Sequence, residues 1–158
     1  MFREMRRQRQ AISEAECIEL LKSETRGVLS MLGDDGYPYG VPINHYYDTK
    51  NGKLYFHGGK TGHRVDAVKA CDKVSYTVFD KGCRKDGDWA LNVKSVIVFG
   101  RISIVEDFQY AIDICRRLCY KFTDDEDYIA DEIEKYAKGT LVMELEIEHM
   151  TGKLVNEK

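Results

Sequence analysis

The chain of 158 residues is 43% apolar and 32% charged, the composition of an ordinary globular domain long enough to bury a core. A formal net charge of −3 gives no support to nucleic-acid binding, and no apolar run approaches the roughly 20 residues that a membrane-spanning helix needs. The basic start "MFREMRRQRQ" has no apolar segment after it and does not read as a signal peptide. Five cysteines, odd in number and without a CxxC pair, read as reduced thiols in a cytoplasmic protein.

In chain order, "AISEAECIELLKS" opens with a capping box, Ser13 at the cap and Glu16 three residues on, with Ile12 and Cys17 placed for a hydrophobic staple. Cys17, Ile18 and Leu21 give one apolar face, which predicts a helix over about 14–23. "RGVLSMLG" is a short apolar strand that "DDGYP" turns into "YGVPINHYYD". There Val41, Ile43, His45 and Tyr47 alternate onto one face, with Pro42, Asn44 and Tyr46 on the other; a proline inside the run argues for an edge or a bulge. "TKNG" reads as a hairpin turn with positive φ at Asn51 and Gly52, and "KLYFHG" returns as the partner strand. After a Gly-rich turn comes a helix from about His63 to Ala70, carrying Val65 and Val68 inward. "KVSYTVFD" and the long, β-branched "KSVIVFGRISIVED" are further strands.

Two helical stretches follow. Phe108, Ala111, Ile112, Cys115, Leu118, Cys119 and Phe122 mark one buried stripe. The second helix, Asp125 to Lys138, is capped by Gly139, with Tyr128, Ile129 and Ile133 inward and the acidic run "DDEDYIADEIE" as a solvated face. "TLVMELEIEHM" closes as a strand, with Leu141, Met143, Leu145 and Ile147 inward and Glu144, Glu146 and Glu148 outward. The result is a mainly β single domain over 1–158, with six strands, mostly antiparallel, and peripheral helices. A closed or partly closed barrel removes the edges of such a sheet.

The stretch "LYFHGGKTGHRVDAV", residues 54–68, carries the chemistry. A helix starting near His63 presents unpaired backbone N–H groups and a partial positive charge. Gly58, Gly59 and Gly62 admit a close backbone approach, and Lys60, Thr61, His63 and Arg64 add donors, so the turn is a candidate phosphate site. It is neither a Walker A loop nor a dinucleotide fingerprint, and a solvated basic turn capping a surface helix has the same composition.

From Met5 to Val105 the sequence resembles the FMN-binding split-barrel superfamily that contains the pyridoxamine 5′-phosphate oxidases, and is most similar to its nitroimidazole-resistance (Nim-type) branch. The likeness rests on "MRR" at 5–7 with Gln10, on "GYPYGVPIN" and "KLYFHGGKTGH", and on "SVIVFGRI" at 95–102. It implies a six-stranded antiparallel split barrel that forms a homodimer with two FMN molecules at the interface. It further implies that Val41, Pro42, Ile43 and Asn44 run along the flavin and that Phe56 and His57 meet it from the partner strand. Lys60, His63 and Arg64 fall at the phosphate, Thr61 and Gly62 offer further donors, and Ser95 reaches the flavin from the long strand. Gly40 stands where the pyridoxamine phosphate oxidases place an arginine, and "TGKLVNEK" has no counterpart of their terminal Trp and Arg, which argues against vitamin B6 oxidation.

The function implied is an FMN-dependent oxidoreductase reducing a small planar substrate, such as a nitroaromatic of the 5-nitroimidazole type, with His57 (or else His63) as the catalytic histidine. The alternative is a non-catalytic flavin or haem carrier on the same barrel. Elsewhere the residues read as structural. His45 is a packed or surface histidine, His149 is uninvolved, and Cys115 and Cys119 belong to a core stripe. Cys71 and Cys83 lack zinc spacing, and no metal site is expected. The N-terminal arginines read as a tail or as a pairing across the dimer.

Overall fold

The computed structural model describes residues 1–157, in the order α1 (Glu14–Ser23), β1 (Arg26–Leu32), β2 (Pro38–Asn44), β3 (Tyr46–Asp48), β4 (Lys53–Gly59), α2 (His63–Ala70), β5 (Lys73–Phe79), β6 (Cys83–Arg84), β7 (Leu91–Ile104), α3 (Phe108–Cys119), α4 (Glu126–Tyr136) and β8 (Thr140–Asn156). The strands form one antiparallel sheet in the order β2-β1-β5-β7-β8-β4-β3, with β6 paired to β7 off that path. β2 and β3 are its two edges, yet a single residue, His45, separates them in the chain. The sheet therefore curls until its edges meet, and no ladder closes the seam among the described residues: it is a split barrel.

Eight strands replace the six expected. The run "YGVPINHYYD" breaks at His45, whose N–H donates to Thr25 O at 3.3 Å instead of continuing the ladder. Cys83–Arg84 adds a two-residue strand, and the last strand continues through "TGKLVN" to Asn156 by way of a bulge opposite Phe99 and Gly100. The N-terminal segment is tied to that extension: Ala11 bridges Lys153, and Ile12 N–H donates to Gly152 O at 3.1 Å.

Alternation decides which side chains fill the barrel. Leu29, Phe56, Tyr76, Val96, Val98, Met143 and Leu145 point inward and are fully buried, and α1 plugs one end with Cys17, Leu20 and Leu21. Burial of this kind stabilises by roughly 1.5–3 kcal/mol per large side chain. α1 starts with the expected capping box: Ser13 N–H donates to Glu16 Oε2 at 3.0 Å, and Glu16 N–H to Ser13 Oγ at 3.3 Å. The outer face of β4 is also covered, because Tyr55 packs with Val142 and with Ile114 of α3. Tyr55 Oη donates to Glu144 Oε2 at 2.9 Å and meets Tyr110 Oη at 2.7 Å, which pins α3 to β4.

The late helices are rotated from the expected stripe. Ile114 and Leu118 are buried in α3, whereas Phe108 and Phe122 are 46% and 53% exposed. In α4 only Ile129 is fully buried, and Tyr128 is 55% exposed. The 3.6-residue period is right, but several residues can share it, and contact with β4 and β8 selects Ile114. Gly139 is not in the left-handed region; α4 ends at Tyr136 and passes into a 3₁₀ turn over Ala137–Gly139. In the β3–β4 turn only Gly52 has positive φ (71°), because the loop runs over residues 49–52 and is closed by Gly52 N–H to Asp48 O at 2.8 Å.

Candidate functional site

β4 ends at the turn singled out in the sequence. Leu54 and Phe56 face the core, so alternation turns His57 outward. Gly62 has a φ of 113°, a value that side-chain-bearing residues avoid, and its carbonyl accepts from Val65 N–H at 2.9 Å and Asp66 N–H at 3.1 Å to start α2. That leaves the N–H groups of His63 and Arg64 at the helix start without intrahelical acceptors.

Arg64 folds back over β4. Its guanidinium lies against Gly58, where a Cβ would overlap Nη2 and stand 2.8 Å from Cζ. Its Nε is buried and has no hydrogen-bond partner. A buried cationic donor without an acceptor is costly, and an oxyanion at this corner would satisfy it. Lys60 and Thr61 are exposed on the same turn.

Beside this corner, Arg26, Pro42, Ile43, Asn44 and His57 line a cleft of about 310 Å³. Pro42 and Asn44 face outward from β2, and Arg26 Nε donates to Asn44 Oδ1 at 2.8 Å. Arg26 escaped the sequence reading; its signal is the hairpin register, which sets Arg26 opposite Asn44. Ile43 reaches the cleft from an otherwise buried position, while Val41 and Phe56 pack into the core beneath it.

Packing behind the imidazole withdraws water from His57, and the Arg64 charge opposes a second cation, so its pKa lies below the ordinary histidine value. One side of the ring stays open to the cleft, which limits the effect. His63 points elsewhere: its ring stacks on Tyr39 at 4.1 Å, and its Nε2 lies 3.4 Å from Asp34 N, in the β1–β2 turn. Ser95 is also apart from the cleft, on β7, with β1 and β5 between it and β2. It shares the sheet's open outer face with Phe79, Ile97 and Phe99, all exposed. Among the described residues no cluster of three His, Cys, Asp or Glu side chains could hold a metal ion, and no helix is long and apolar enough to cross a membrane.

Residues 13–154 match the family model described as pyridoxamine 5′-phosphate oxidase. No curated protein matches the chain. Among solved structures, the chain is similar to a protein from Bacteroides thetaiotaomicron provisionally described as a 5-nitroimidazole antibiotic resistance protein, with a TM-score of 0.76 at 18% identity over 92% of this chain and 87% of that one. An FAD-binding protein from Mesorhizobium loti gives 0.65 at 21% identity, over 92% and 97%. An FAD- and haem-binding protein from Mycobacterium smegmatis gives 0.72 at 18% identity, over 92% and 72%. At such identities the structural likenesses speak for the fold.

Proposed function

The chain belongs to the pyridoxamine 5′-phosphate oxidase family, and on that premise we propose that it is an FMN-dependent oxidoreductase whose substrate is a small planar molecule such as a nitroaromatic. The observation that carries the reading is Arg64, a half-buried guanidinium whose buried Nε is unpaired, beside a glycine and a helix start, a set of donors suited to a phosphate. Arg64, Lys60, Thr61, Gly62 and the first N–H groups of α2 would hold the FMN phosphate, and the outer face of β2 at Pro42 and Asn44, with Arg26, would line the ring. Val41, Ile43 and Phe56 support that wall from the core. When bound, the flavin supplies the redox chemistry.

His57 holds and delivers a proton at the cleft. With its pKa lowered, it is neutral at pH 7 and its acid form fills only below the ordinary histidine range. Proton delivery by His57 therefore strengthens as the pH falls below the ordinary histidine range. His63, stacked on Tyr39, supports the loop rather than the chemistry. Gly40 stands where the vitamin B6 oxidases carry an arginine at the start of the first flavin strand, which argues against that substrate. The exposed Phe79, Ile97 and Phe99 beside Ser95 suit an isologous homodimer that covers the flavin and adds the partner subunit's surface to each site.

The test is reconstitution with FMN, FAD and riboflavin, followed by chemical reduction and anaerobic addition of a 5-nitroimidazole. FMN is expected to bind most tightly, and the nitro compound to reoxidise it. His57→Asn should keep FMN but slow reoxidation and flatten its pH dependence. Absence of flavin binding would overturn the reading, and loss of flavin on His57→Asn would make His57 a cofactor ligand instead.

A further inference from the structure

His57 is a wall of two hollows. In front lies the cleft with Pro42 and Asn44. Behind it, under α3 and α4, is a second pocket of about 110 Å³ lined by Cys115, Cys119, Glu132, Ile133 and Tyr136. We propose that this second pocket binds the substrate: one flat, uncharged heteroaromatic ring carrying an N–H or amino donor, with Cys115 and Cys119 as the residues that set its size. The inference rests on the flavin reading of the front cleft, and it assigns to the last two helices a role that their sequence does not suggest.

Size comes first. An enclosed cavity of roughly 150 Å³ accepts a benzene ring, so this smaller, open-mouthed pocket seats a five-membered ring, or a six-membered ring that protrudes at the mouth, in preference to a fused one. Chemistry comes second. Desolvation raises the pKa of both thiols, that of Cys115 to about 11, so at neutral pH they are protonated, polarisable walls that alkylate slowly. No lysine or arginine lines the pocket, and Glu132 adds a negative charge, which repels phosphate and carboxylate ligands and accepts from an N–H. The ring edge nearest β4 meets the His57 imidazole, the one side chain that touches both hollows. Cys115 and Cys119 stand one turn apart on α3, and Ile133 and Tyr136 close the opposite side from α4. Pocket size is thus set by helix residues, independently of the phosphate loop.

The experiment uses the FMN-loaded full chain and 2-methyl-5-nitroimidazole as the probe. Alkylation by N-ethylmaleimide at mildly alkaline pH, mapped by mass spectrometry, should slow at Cys115 and Cys119 when the probe is saturating and stay unchanged at exposed Cys83. Cys115→Leu and Cys119→Leu fill the pocket and should lower probe affinity about tenfold or more, with FMN content unchanged. A probe carrying a carboxylate in place of the nitro group should not protect either thiol. If the probe binds with no protection of Cys115 and Cys119, the pocket assignment is overturned while the flavin reading stands. If FMN does not load, it is the flavin reading that fails. The protection measurement needs no variant, so it decides the matter even if a leucine substitution prevents folding.

Discussion

Two histidines of this protein sit about one strand apart in sequence and meet opposite fates. His45, at the seam between β2 and β3, is fully buried and fully satisfied: its Nε2–H donates to Leu21 O at 2.7 Å, and its Nδ1 accepts from Tyr76 Oη at 2.7 Å. The carbonyl fixes the neutral tautomer, and burial, reinforced by the nearby charge of Lys121, drives the pKa down to about 3. Lys121 is itself spent on structure, donating to Glu24 O at 2.6 Å and His45 O at 3.1 Å, and desolvation lowers its pKa to about 8. His57 has no such partners and reaches solvent, and its neighbour Arg64 keeps a buried nitrogen unpaired. A polar group whose partners are all supplied by the fold belongs to the fold; one left wanting is a place to test for a ligand.

The contrast can be broken in several ways. His45→Ala should be the most damaging, removing packing and orphaning both Leu21 O and the Tyr76 hydroxyl, at a cost of roughly 3 kcal/mol in urea unfolding. A loss under about 1 kcal/mol would show the seam to be pliable. Arg64→Ala should do the reverse: fold stability changes by less than about 1 kcal/mol, while FMN affinity falls about 10- to 150-fold, equivalent to about 1.5–3 kcal/mol, and riboflavin binding is unmoved. Equal losses for FMN and riboflavin would return Arg64 to the fold.

Acid should act through His45. Its folded pKa lies below the unfolded value near 6.5, so stability is held above pH 6.5 and is lost as the pH falls from there toward 3. The loss reaches about 2 kcal/mol by pH 5, at no more than about 1.4 kcal/mol per unit. Unfolding midpoints that are flat between pH 7 and 5 would contradict the buried, neutral assignment. Smallest is Gly58→Ala. The new methyl meets only the end of the Arg64 side chain and no backbone, so folding should be barely affected while FMN affinity drops a few fold and riboflavin affinity does not.

What the sequence disclosed follows from the range of the interactions involved. The capping box at Ser13, the outward turn of His57 and the helix at His63–Ala70 are local, and each appears where its residues place it. The break at His45 depends on Leu21 and Tyr76, which are remote in sequence from each other, so alternation alone runs straight through it. Arg26 joins the cleft only through register with Asn44. Cys115 and Cys119 were legible as one helix face, but that the face borders His57 requires the β4–β8 pairing and the seat of α4.

That β4–β8 ladder has a kinetic consequence. Gly59 pairs with Thr140, which closes a loop of about 80 residues at an entropic cost of about 4 kcal/mol, whereas β5 and β7 pair across a short connection. The barrel half built from β1, β2, β5 and β7 can nucleate early, and the strand carrying His57 docks onto β8 afterwards. The same ladder is then the expected first place to open. Amide protons of residues 57–59 and 140–142 should exchange with solvent faster than those of β5 and β7, and a ligand bridging this corner should slow them; equal exchange in both regions would remove the kinetic distinction. A ligand held at this corner would therefore be coupled to the last step of folding, its occupancy and the closing of the ladder forming one equilibrium.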